Sequence, residues 1–232
     1  MMKGITIREK LLEREKEIFR FLRSLIEMRI DFIIVGGYAV ATHKKRFSVD
    51  LDVVVREEDL PVFEKFCERE GYLFEYDKEI GLQYGEKFKR FAKDVHGLKA
   101  SIDVLINGLV SRATSATWSF EYIKAHAIKQ SLQGLTFLTP EKELLIAMKM
   151  HAGRLSDVRD IVALFPADIQ KIELHLMRGD IKKLKELIQQ QEIFLKKVQF
   201  DDGFKGVFGV HVYNLADVEE TKKGIKSLLA KM

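Results

Sequence analysis

The stretch Ser48-Val49-Asp50-Leu51-Asp52-Val53-Val54-Val55 is the most informative part of this chain of 232 residues. Its apolar residues predict a buried strand, and successive side chains of a strand point to opposite faces, so Asp50 and Asp52 share one face. Two neighbouring carboxylates repel each other unless a cation neutralises them. Mg²⁺ suits this position because it prefers oxygen ligands and is often held by one or two carboxylates together with substrate phosphates. An exposed edge strand is the alternative, and the flanking valine and leucine residues argue against it.

A glycine pair, Gly36 and Gly37, follows the apolar run Phe32–Val35 and opens the predicted short helix Tyr38–Thr42. Backbone N–H groups at the start of a helix lack partners within the helix and attract phosphate. The pair therefore supplies the phosphate-binding half of a site whose other half is the acidic strand. A tight strand-to-helix turn without any ligand would also use glycine, so both interpretations stay open.

A third acid, Asp103, interrupts the otherwise apolar run Ser101–Ile106, which predicts another strand. If that strand lies beside the first, the carboxylates of Asp50, Asp52 and Asp103 converge. This is the arrangement that two metal ions need for in-line phosphoryl or nucleotidyl transfer. We therefore expect these three residues to be catalytic and to bind two Mg²⁺ ions, for which Mn²⁺ could substitute.

These motifs resemble the nucleotidyltransferase superfamily of polymerase-beta type, whose signature is a Gly-Gly or Gly-Ser turn, an acid-x-acid strand and a later third acid. The matching stretches are Gly36-Gly37, Arg46–Asp52 and Ile102–Val104. The resemblance covers roughly Ile30 to Phe165. It implies transfer of a nucleoside monophosphate from a nucleoside triphosphate (NTP) to an acceptor hydroxyl, with release of pyrophosphate. One departure is Gly37, because many catalytic members carry Ser there and so offer phosphate a hydroxyl group.

The downstream sequence resembles the AbiEii-type branch of the superfamily, which includes the toxins of toxin–antitoxin pairs. The matching stretches are Leu138–Arg154 and Ser156–Ile161. In that branch a Lys on a helix, an Arg and a downstream Asp complete the site, which implies Lys149, Arg154 and Asp157 here. The resemblance also implies a cognate antitoxin protein as a partner. Alternatively, Lys149 extends to the surface, and Arg154, Asp157 and Asp160 form a salt-bridge set between helices.

Two further candidates stand just before the acidic strand. The guanidinium fork of Arg46 can bind phosphate with two hydrogen bonds, although a solvated loop explains this residue equally well. Ser48 adds a hydroxyl group, and the alternative is that it simply begins the strand. The predicted nucleotide-binding set is therefore Gly36, Gly37, Arg46, Ser48, Lys149, Arg154 and Asp157.

The overall pattern predicts an α+β fold, with a small mixed β-sheet nucleotidyltransferase core flanked by helices and a C-terminal helical domain. The core comprises residues 1–134 and begins with an amphipathic helix over Glu9–Met28; the mainly helical domain comprises residues 135–232. Three segments in the core have specific assignments. Gly81–Tyr84 and Tyr122–Ile128 are predicted strands, and Asn107–Ser119 is predicted to be a loop or a short helix.

Composition restricts the cellular setting and the partners. A net charge of +4 permits a nucleic-acid partner without requiring one. The single cysteine, Cys67, excludes an internal disulfide and a multi-cysteine zinc site. The six histidines show no metal-binding spacing and are interpreted as structural or surface residues. Because neither a signal peptide nor a run of membrane-spanning length is evident, we expect a cytoplasmic protein without a membrane partner.

The acceptor has two candidates, an RNA end and a small molecule of the antibiotic type. A basic stretch with interleaved aromatic residues could form a groove for RNA, although a half-exposed strand explains it equally well; it contains Lys87, Phe88, Lys89, Arg90, Phe91 and Lys93. The alternative from another functional class is a non-catalytic nucleotide- or RNA-binding protein that retains the fold.

Overall fold

The apolar and amphipathic runs of the sequence form strands and helices in a computed structural model, which describes residues 5–75, 87–197, 199–210 and 213–232. The strands are β1 (Phe32–Val35), β2 (Asp50–Val55), β3 (Leu73–Glu75), β4 (Phe88–Val95), β5 (Leu98–Ile106), β6 (Gly108–Val110), β7 (Thr117–Ser119), β8 (Ala127–Leu132) and β9 (Leu135–Pro140). The helices are α1 (Ile7–Glu27), α2 (Gly36–Ala41), α3 (Leu60–Arg69), α4 (Phe120–Ala125), α5 (Lys142–Ala152), α6 (Asp157–Leu164), α7 (Ile169–Leu176), α8 (Ile181–Phe194), α9 (Gln199–Phe208) and α10 (Leu215–Lys231). Strands dominate up to β9 and helices follow it, which confirms the predicted α+β class.

A five-stranded mixed sheet, in the order β1-β2-β5-β4-β3, positions the acidic residues. Strand β2 runs antiparallel to β1 and parallel to β5, so it is an internal strand and not an edge strand. The register pairs Asp52 with Asp103 across β2 and β5, and Asp103 with Arg90 across β5 and β4. Residues directly opposite each other in a sheet share a face, so these three side chains lie on the same side of the sheet.

The other face of the sheet packs against α1 and α3 and forms the core of the first part of the chain. Phe21 of α1 is fully buried at its centre. Its ring packs against the rings of Phe63, Phe66 and Tyr72. This face has the alternating apolar pattern expected of a sheet covered by helices.

The short helix α2 lies between the sheet and the helical region. Tyr38 belongs to the apolar cluster of the sheet, whereas Ala39 and Val40 belong to the cluster formed by α5–α10. Ile146 and Met150 of α5 are fully buried in that second cluster. Both halves of the chain therefore hold the turn between β1 and α2 in place.

The C-terminal tail contacts the loop before β2. The Phe47 N–H donates to the Val207 carbonyl in α9 at 3.0 Å. The Arg46 guanidinium lies 6.0 Å from the ring centroid of Phe208 in the same helix. The loop that carries Arg46 is therefore positioned partly by α9.

Two stretches differ from the prediction. Tyr122–Ile128 was predicted to be a strand, but its first residues end α4 and its last residues begin β8. The helix forms because the Ser119 side chain accepts a hydrogen bond from the Tyr122 N–H at 3.2 Å, as a helix N-cap does. Asn107–Ser119 was predicted to be a loop or a short helix, but it contains the antiparallel pair β6–β7, which buries Trp118.

Other predictions about the organisation of the chain are not decided by these elements. Gly134 lies in the turn between β8 and β9 with a φ of +78°, so the division into residues 1–134 and 135–232 falls inside a hairpin and stays a prediction. The predicted strand Gly81–Tyr84 lies outside the described residues. No helix in the described residues is both long and apolar enough to cross a membrane.

Phe21→Ala tests the role of the α1 core. We expect a loss of about 3–5 kcal/mol in the free energy of unfolding, because a large buried side chain is replaced by a cavity. Phe74→Ala is the matched control, since Phe74 is 56% exposed, and we expect a much smaller change. Urea denaturation measures both, and equal losses would contradict the assignment of Phe21 to the core.

Candidate active site

Asp52 and Asp103 form the buried centre of the candidate site. They lie directly opposite each other on the parallel strands β2 and β5, and their exposed fractions are 7% and 0%. Burial, followed by the charges of Asp103 and Asp50, raises the pKa of Asp52 to about 8. The Asp52 Oδ1 atom is buried and has no hydrogen-bond partner among the described residues. A buried acceptor without a partner is costly, so this oxygen is suited to a cation.

Gly36 permits the close approach of Asp52 to the turn after β1. A Cβ atom on Gly36 would lie 1.9 Å from Asp52 Oδ2, and the backbone has a φ of +64°. Both the space and the dihedral angle therefore require glycine. Helix α2, which starts here, spans only Gly36–Ala41, so its dipole is small and the main contribution of the turn is space beside the carboxylate.

Gly37 leaves space for the hydroxyl group of Ser48. A Cβ atom on Gly37 would lie 2.3 Å from Ser48 Oγ and 3.4 Å from Arg46 Cζ. The Ser48 hydroxyl donates to the Asp50 carbonyl at 3.2 Å. A side-chain hydroxyl is therefore present beside the Gly-Gly turn, although it comes from the start of β2 and not from position 37.

Arg90 is a member of the site that the sequence did not identify as one. Its Nε and Nη2 atoms donate to Asp103 Oδ1 and Oδ2, both at 2.6 Å, and Nη2 lies 3.4 Å from Asp50 Oδ2. Burial raises the pKa of Asp103 although the Arg90 charge opposes that shift. Side chains alternate between the two faces of a strand, so Arg90 and Phe91 point to opposite faces of β4. Only the pairing of β4 with β5 shows that the face of Arg90 is also the face of Asp103, and the sequence does not reveal that pairing.

A buried ionic network stands at the other side of the site. Lys149 Nζ donates to Asp157 Oδ1 at 2.9 Å and to Asp160 Oδ2 at 2.6 Å. Arg46 Nη1 donates to Asp160 Oδ1 at 2.5 Å, and Arg154 Nε donates to Asp157 Oδ2 at 2.7 Å. Burial, which disfavours the ammonium, is outweighed by the charges of Asp157 and Asp160, so the pKa of Lys149 is raised. Lys149 therefore does not extend to the surface. Of the salt-bridge set predicted as an alternative, Arg154 pairs with Asp157, while Asp160 pairs with Lys149 and Arg46.

A cavity of about 260 Å³ joins the acidic and basic parts of the site. Asp52, Lys149 and Arg154 line it, together with Gly36 and apolar residues. The apolar part comes from Val35, Leu109, Leu145 and Met148. This combination of fixed charges and apolar surface suits a ligand that carries both an anionic group and a flat or apolar group.

The three predicted metal-binding acids share one face of the sheet but do not converge on a single point. Within the described residues, Asp50, Asp52 and Asp103 do not offer one oxygen each within 4.8 Å of one another. The Arg90 guanidinium lies between Asp103 and Asp50, because it contacts both carboxylates. The acids are therefore on one face as predicted, but Asp103 is paired with an internal cation.

The lysines of the basic stretch that was predicted to bind RNA each form an ion pair with a neighbouring glutamate. Lys87 Nζ lies 2.6 Å from Glu57 Oε1, and Lys93 Nζ lies 2.9 Å from Glu17 Oε1. Lys89 pairs with Glu64 of α3. Phe91 is 2% exposed, so its ring is not available to stack on a base.

Comparisons with known proteins identify the fold. No family model and no curated protein matches the sequence. A candidate nucleotidyltransferase from H. pylori has a TM-score of 0.53 at 14% identity and covers 96% of both chains. An antigenic nucleotidyltransferase-like protein from Paracoccidioides brasiliensis has a TM-score of 0.50 at 13% identity, over 85% of this chain and 97% of that one. A lincosamide antibiotic adenylyltransferase with lincomycin bound reaches only 0.48 at 17% identity, over 66% of this chain and 96% of that one.

The first two similarities establish a nucleotidyltransferase fold, which confirms the predicted sheet core with its flanking helices. At these identities they concern the fold alone. They do not distinguish the AbiEii-type branch from the rest of the superfamily.

Asp52→Asn tests the perturbed carboxylate. An unfolded aspartate ionises near pH 3.9, whereas the folded pKa is about 8, so the folded state binds more protons between these values. The metal-free protein should therefore lose stability as the pH rises from about 4 to about 8. We expect the variant to be more stable than the wild type by on the order of 5 kcal/mol at pH 8 and to differ little at pH 4.

Urea unfolding in a chelating buffer at several pH values measures this difference. Asp202→Asn is the control, because Asp202 is exposed on α9, and it should follow the wild type. The same slope of stability against pH in wild type and Asp52→Asn would show that Asp52 ionises normally.

Proposed function

We propose that this protein is a metal-dependent nucleotidyltransferase, which moves a nucleoside monophosphate from an NTP to an acceptor hydroxyl and releases pyrophosphate. The observation that carries the proposal is the unpartnered Oδ1 of Asp52, a buried carboxylate that faces Asp103 on the adjacent strand. It lines the same cavity as Lys149 and Arg154. Carboxylates for a cation and cations for a phosphate are therefore brought to one ligand-sized space.

The acidic residues fit a divalent cation. Asp50 and Asp52 would hold Mg²⁺ or Mn²⁺, and the unpartnered Asp52 oxygen supports this assignment. Asp103 would join a second ion only after separating from Arg90, to which it is bound by two hydrogen bonds of 2.6 Å. When bound, Mg²⁺ supplies Lewis-acid stabilisation of charge on the phosphate oxygens.

Lys149, Arg154 and Arg46 would orient the triphosphate. Three cations meet at the two carboxylates of Asp157 and Asp160, so positive charge is concentrated at this side of the site. Buried ion pairs hold the Lys149 ammonium and the Arg46 guanidinium in fixed positions. Fixed cations stabilise developing negative charge better than mobile ones, because they need no reorganisation during the reaction.

The reaction forms one bond and breaks one. The acceptor oxygen attacks the α-phosphorus, and the bond from that phosphorus to the bridging oxygen of pyrophosphate breaks. The proton of the acceptor hydroxyl would pass to a carboxylate oxygen of Asp103. Burial raises the pKa of this carboxyl, which makes it a stronger base than an ordinary aspartate, and its oxygens would have to leave Arg90 before they accept the proton.

A small hydroxylated molecule is a second candidate acceptor beside RNA. The ion pairs of Lys87, Lys89 and Lys93 with neighbouring acids favour it, because they leave less free positive charge for a phosphate backbone. A role as a toxin with a cognate antitoxin, and a cytoplasmic location, stay predictions of the sequence. A non-catalytic nucleotide-binding protein remains the alternative from another class.

Asp50→Asn tests catalysis. Asp50 lies on the face of Asp52 and is only partly buried, so the variant should fold while losing a ligand charge for the cation. We expect at least about a hundredfold loss of transfer, equivalent to about 2.7 kcal/mol. Incubation with α-labelled NTPs, Mg²⁺ and either total RNA or hydroxylated small molecules measures the activity.

Asp202→Asn is the matched control for Asp50→Asn and should retain full activity. Labelled product in the presence of a small molecule but not of RNA would identify the small-molecule class. Turnover by Asp50→Asn equal to that of the wild type would contradict the proposed site. Wild-type protein that binds NTP without any product would favour the non-catalytic alternative.

Arg90→Gln tests the internal cation at Asp103. Removing the guanidinium leaves a fully buried carboxylate without its partner, which destabilises the metal-free protein and favours a divalent cation in its place. We expect Mg²⁺ affinity to rise by about tenfold, equivalent to about 1.4 kcal/mol. Arg20→Gln is the control, because Arg20 also makes a two-bond ion pair, with Glu17 of α1.

Titration calorimetry with Mg²⁺ or Mn²⁺ reports the affinities of these variants independently of turnover. Unchanged metal affinity in Arg90→Gln would show that Asp103 takes no part in cation binding.

A further inference from the structure

Three residues that are far apart in the sequence meet outside the cavity of the candidate active site. His126 follows α4, Glu141 precedes α5 and His175 lies in α7. His126 Nδ1 and His175 Nε2 each lie 3.1 Å from Glu141 Oε1. One ligand atom from each residue lies within 4.8 Å of the other two. The spacing of the histidines indicated structural or surface residues, and spacing alone could not show that the fold brings two of them to one carboxylate.

We propose that His126, Glu141 and His175 bind a Zn²⁺ ion. Zinc binds imidazole nitrogen at about 2.0–2.1 Å and carboxylate oxygen at about 2.0–2.2 Å, so neighbouring ligands of a tetrahedral site are about 3.4 Å apart. The two observed separations are close to this value. Two imidazoles and one carboxylate also match the ligand preference of zinc, and a water molecule would complete the tetrahedron.

The three ligands are held in place by the protein itself. The Glu141 N–H donates to the His126 carbonyl at 2.8 Å, at the open end of the hairpin formed by β8 and β9. His175 is fully buried, and its Nδ1 lies 2.8 Å from the Tyr122 hydroxyl. A partner on the far nitrogen of a ligating histidine fixes the orientation of the ring. Binding of the ion needs the His175 proton to move from Nε2 to Nδ1, where the Tyr122 hydroxyl can turn to accept it.

The surrounding charges set a limit to the affinity. Lys171 Nζ lies 3.7 Å from Glu141 Oε2, and the Arg178 guanidinium lies 3.9 Å from the ring centroid of Tyr122. Both cations oppose a dication. The Lys171 side chain is 57% exposed and can turn to solvent when the ion binds, so Zn²⁺ binds here more weakly than in a site of four thiolates.

The ion would connect the two parts of the fold. Leu135 and Phe137 of the β8–β9 hairpin belong to the apolar cluster of the sheet, whereas Ile172 of α7 belongs to the helical cluster. Neither histidine nor Glu141 lines the cavity that contains Asp52. The Zn²⁺ site is therefore separate from the candidate active site, and it stands whether or not the protein transfers nucleotides.

The experiment uses untagged full-length protein, with Mg²⁺ in large excess so that the acidic residues of β2 and β5 are not the zinc ligands. Thermal unfolding with and without Zn²⁺, together with titration calorimetry, is measured for wild type, His126→Gln and Tyr122→Phe. His96→Asn is the control, because His96 is exposed in the turn between β4 and β5.

We expect Zn²⁺ to raise the unfolding temperature of the wild type and of His96→Asn by the same amount. His126→Gln, which keeps a hydrogen-bonding side chain, should lose this shift, and its Kd for Zn²⁺ should rise by more than tenfold. Tyr122→Phe should weaken binding by about tenfold, through the orientation of His175. Wild-type protein without a zinc-dependent shift, or a shift retained in full by His126→Gln, would overturn the proposal.

Discussion

The burial of two carboxylates on neighbouring parallel strands is the constraint on which the candidate site depends. Asp52 and Asp103 face each other where side chains approach closely, and both are removed from water. Isolated buried charges are strongly disfavoured unless they are paired or neutralised. The surroundings meet this requirement differently for the two acids. Asp103 receives the fork of Arg90, whereas Asp52 retains an oxygen without a partner and a raised pKa.

The helical region supplies the opposite charge. Lys149 is as deeply buried as Asp52, and its ammonium is kept charged by Asp157 and Asp160. The cavity lies between the acidic residues of the sheet and the basic residues of the helical region, since Asp52 lines it together with Lys149 and Arg154.

Local sequence pattern predicted the parts of the structure that depend on short-range periodicity. The alternation around Asp50 and Asp52 correctly indicated a shared face on an internal strand, and the apolar spacing around Lys149 correctly indicated a buried helix. The failures concern tertiary pairing. Nothing in the run Phe88–Lys93 shows that it lies beside β5, so Arg90 could not be assigned to Asp103. The strand predicted at Tyr122 failed because a single serine cap outweighed β-propensity over a short segment.

The contact between α9 and the loop before β2 would make the C-terminal tail part of any binding equilibrium at Arg46. Phe47 and Arg46 are held partly by Val207 and Phe208, so the free energy of docking α9 is coupled to the position of a predicted phosphate ligand. Coupling of this kind is reciprocal. A ligand on Arg46 would slow hydrogen exchange in α9, and any molecule that displaces α9 would weaken that ligand. With a ligand on Arg46, a segment remote from the acidic strands in sequence would thereby influence their site.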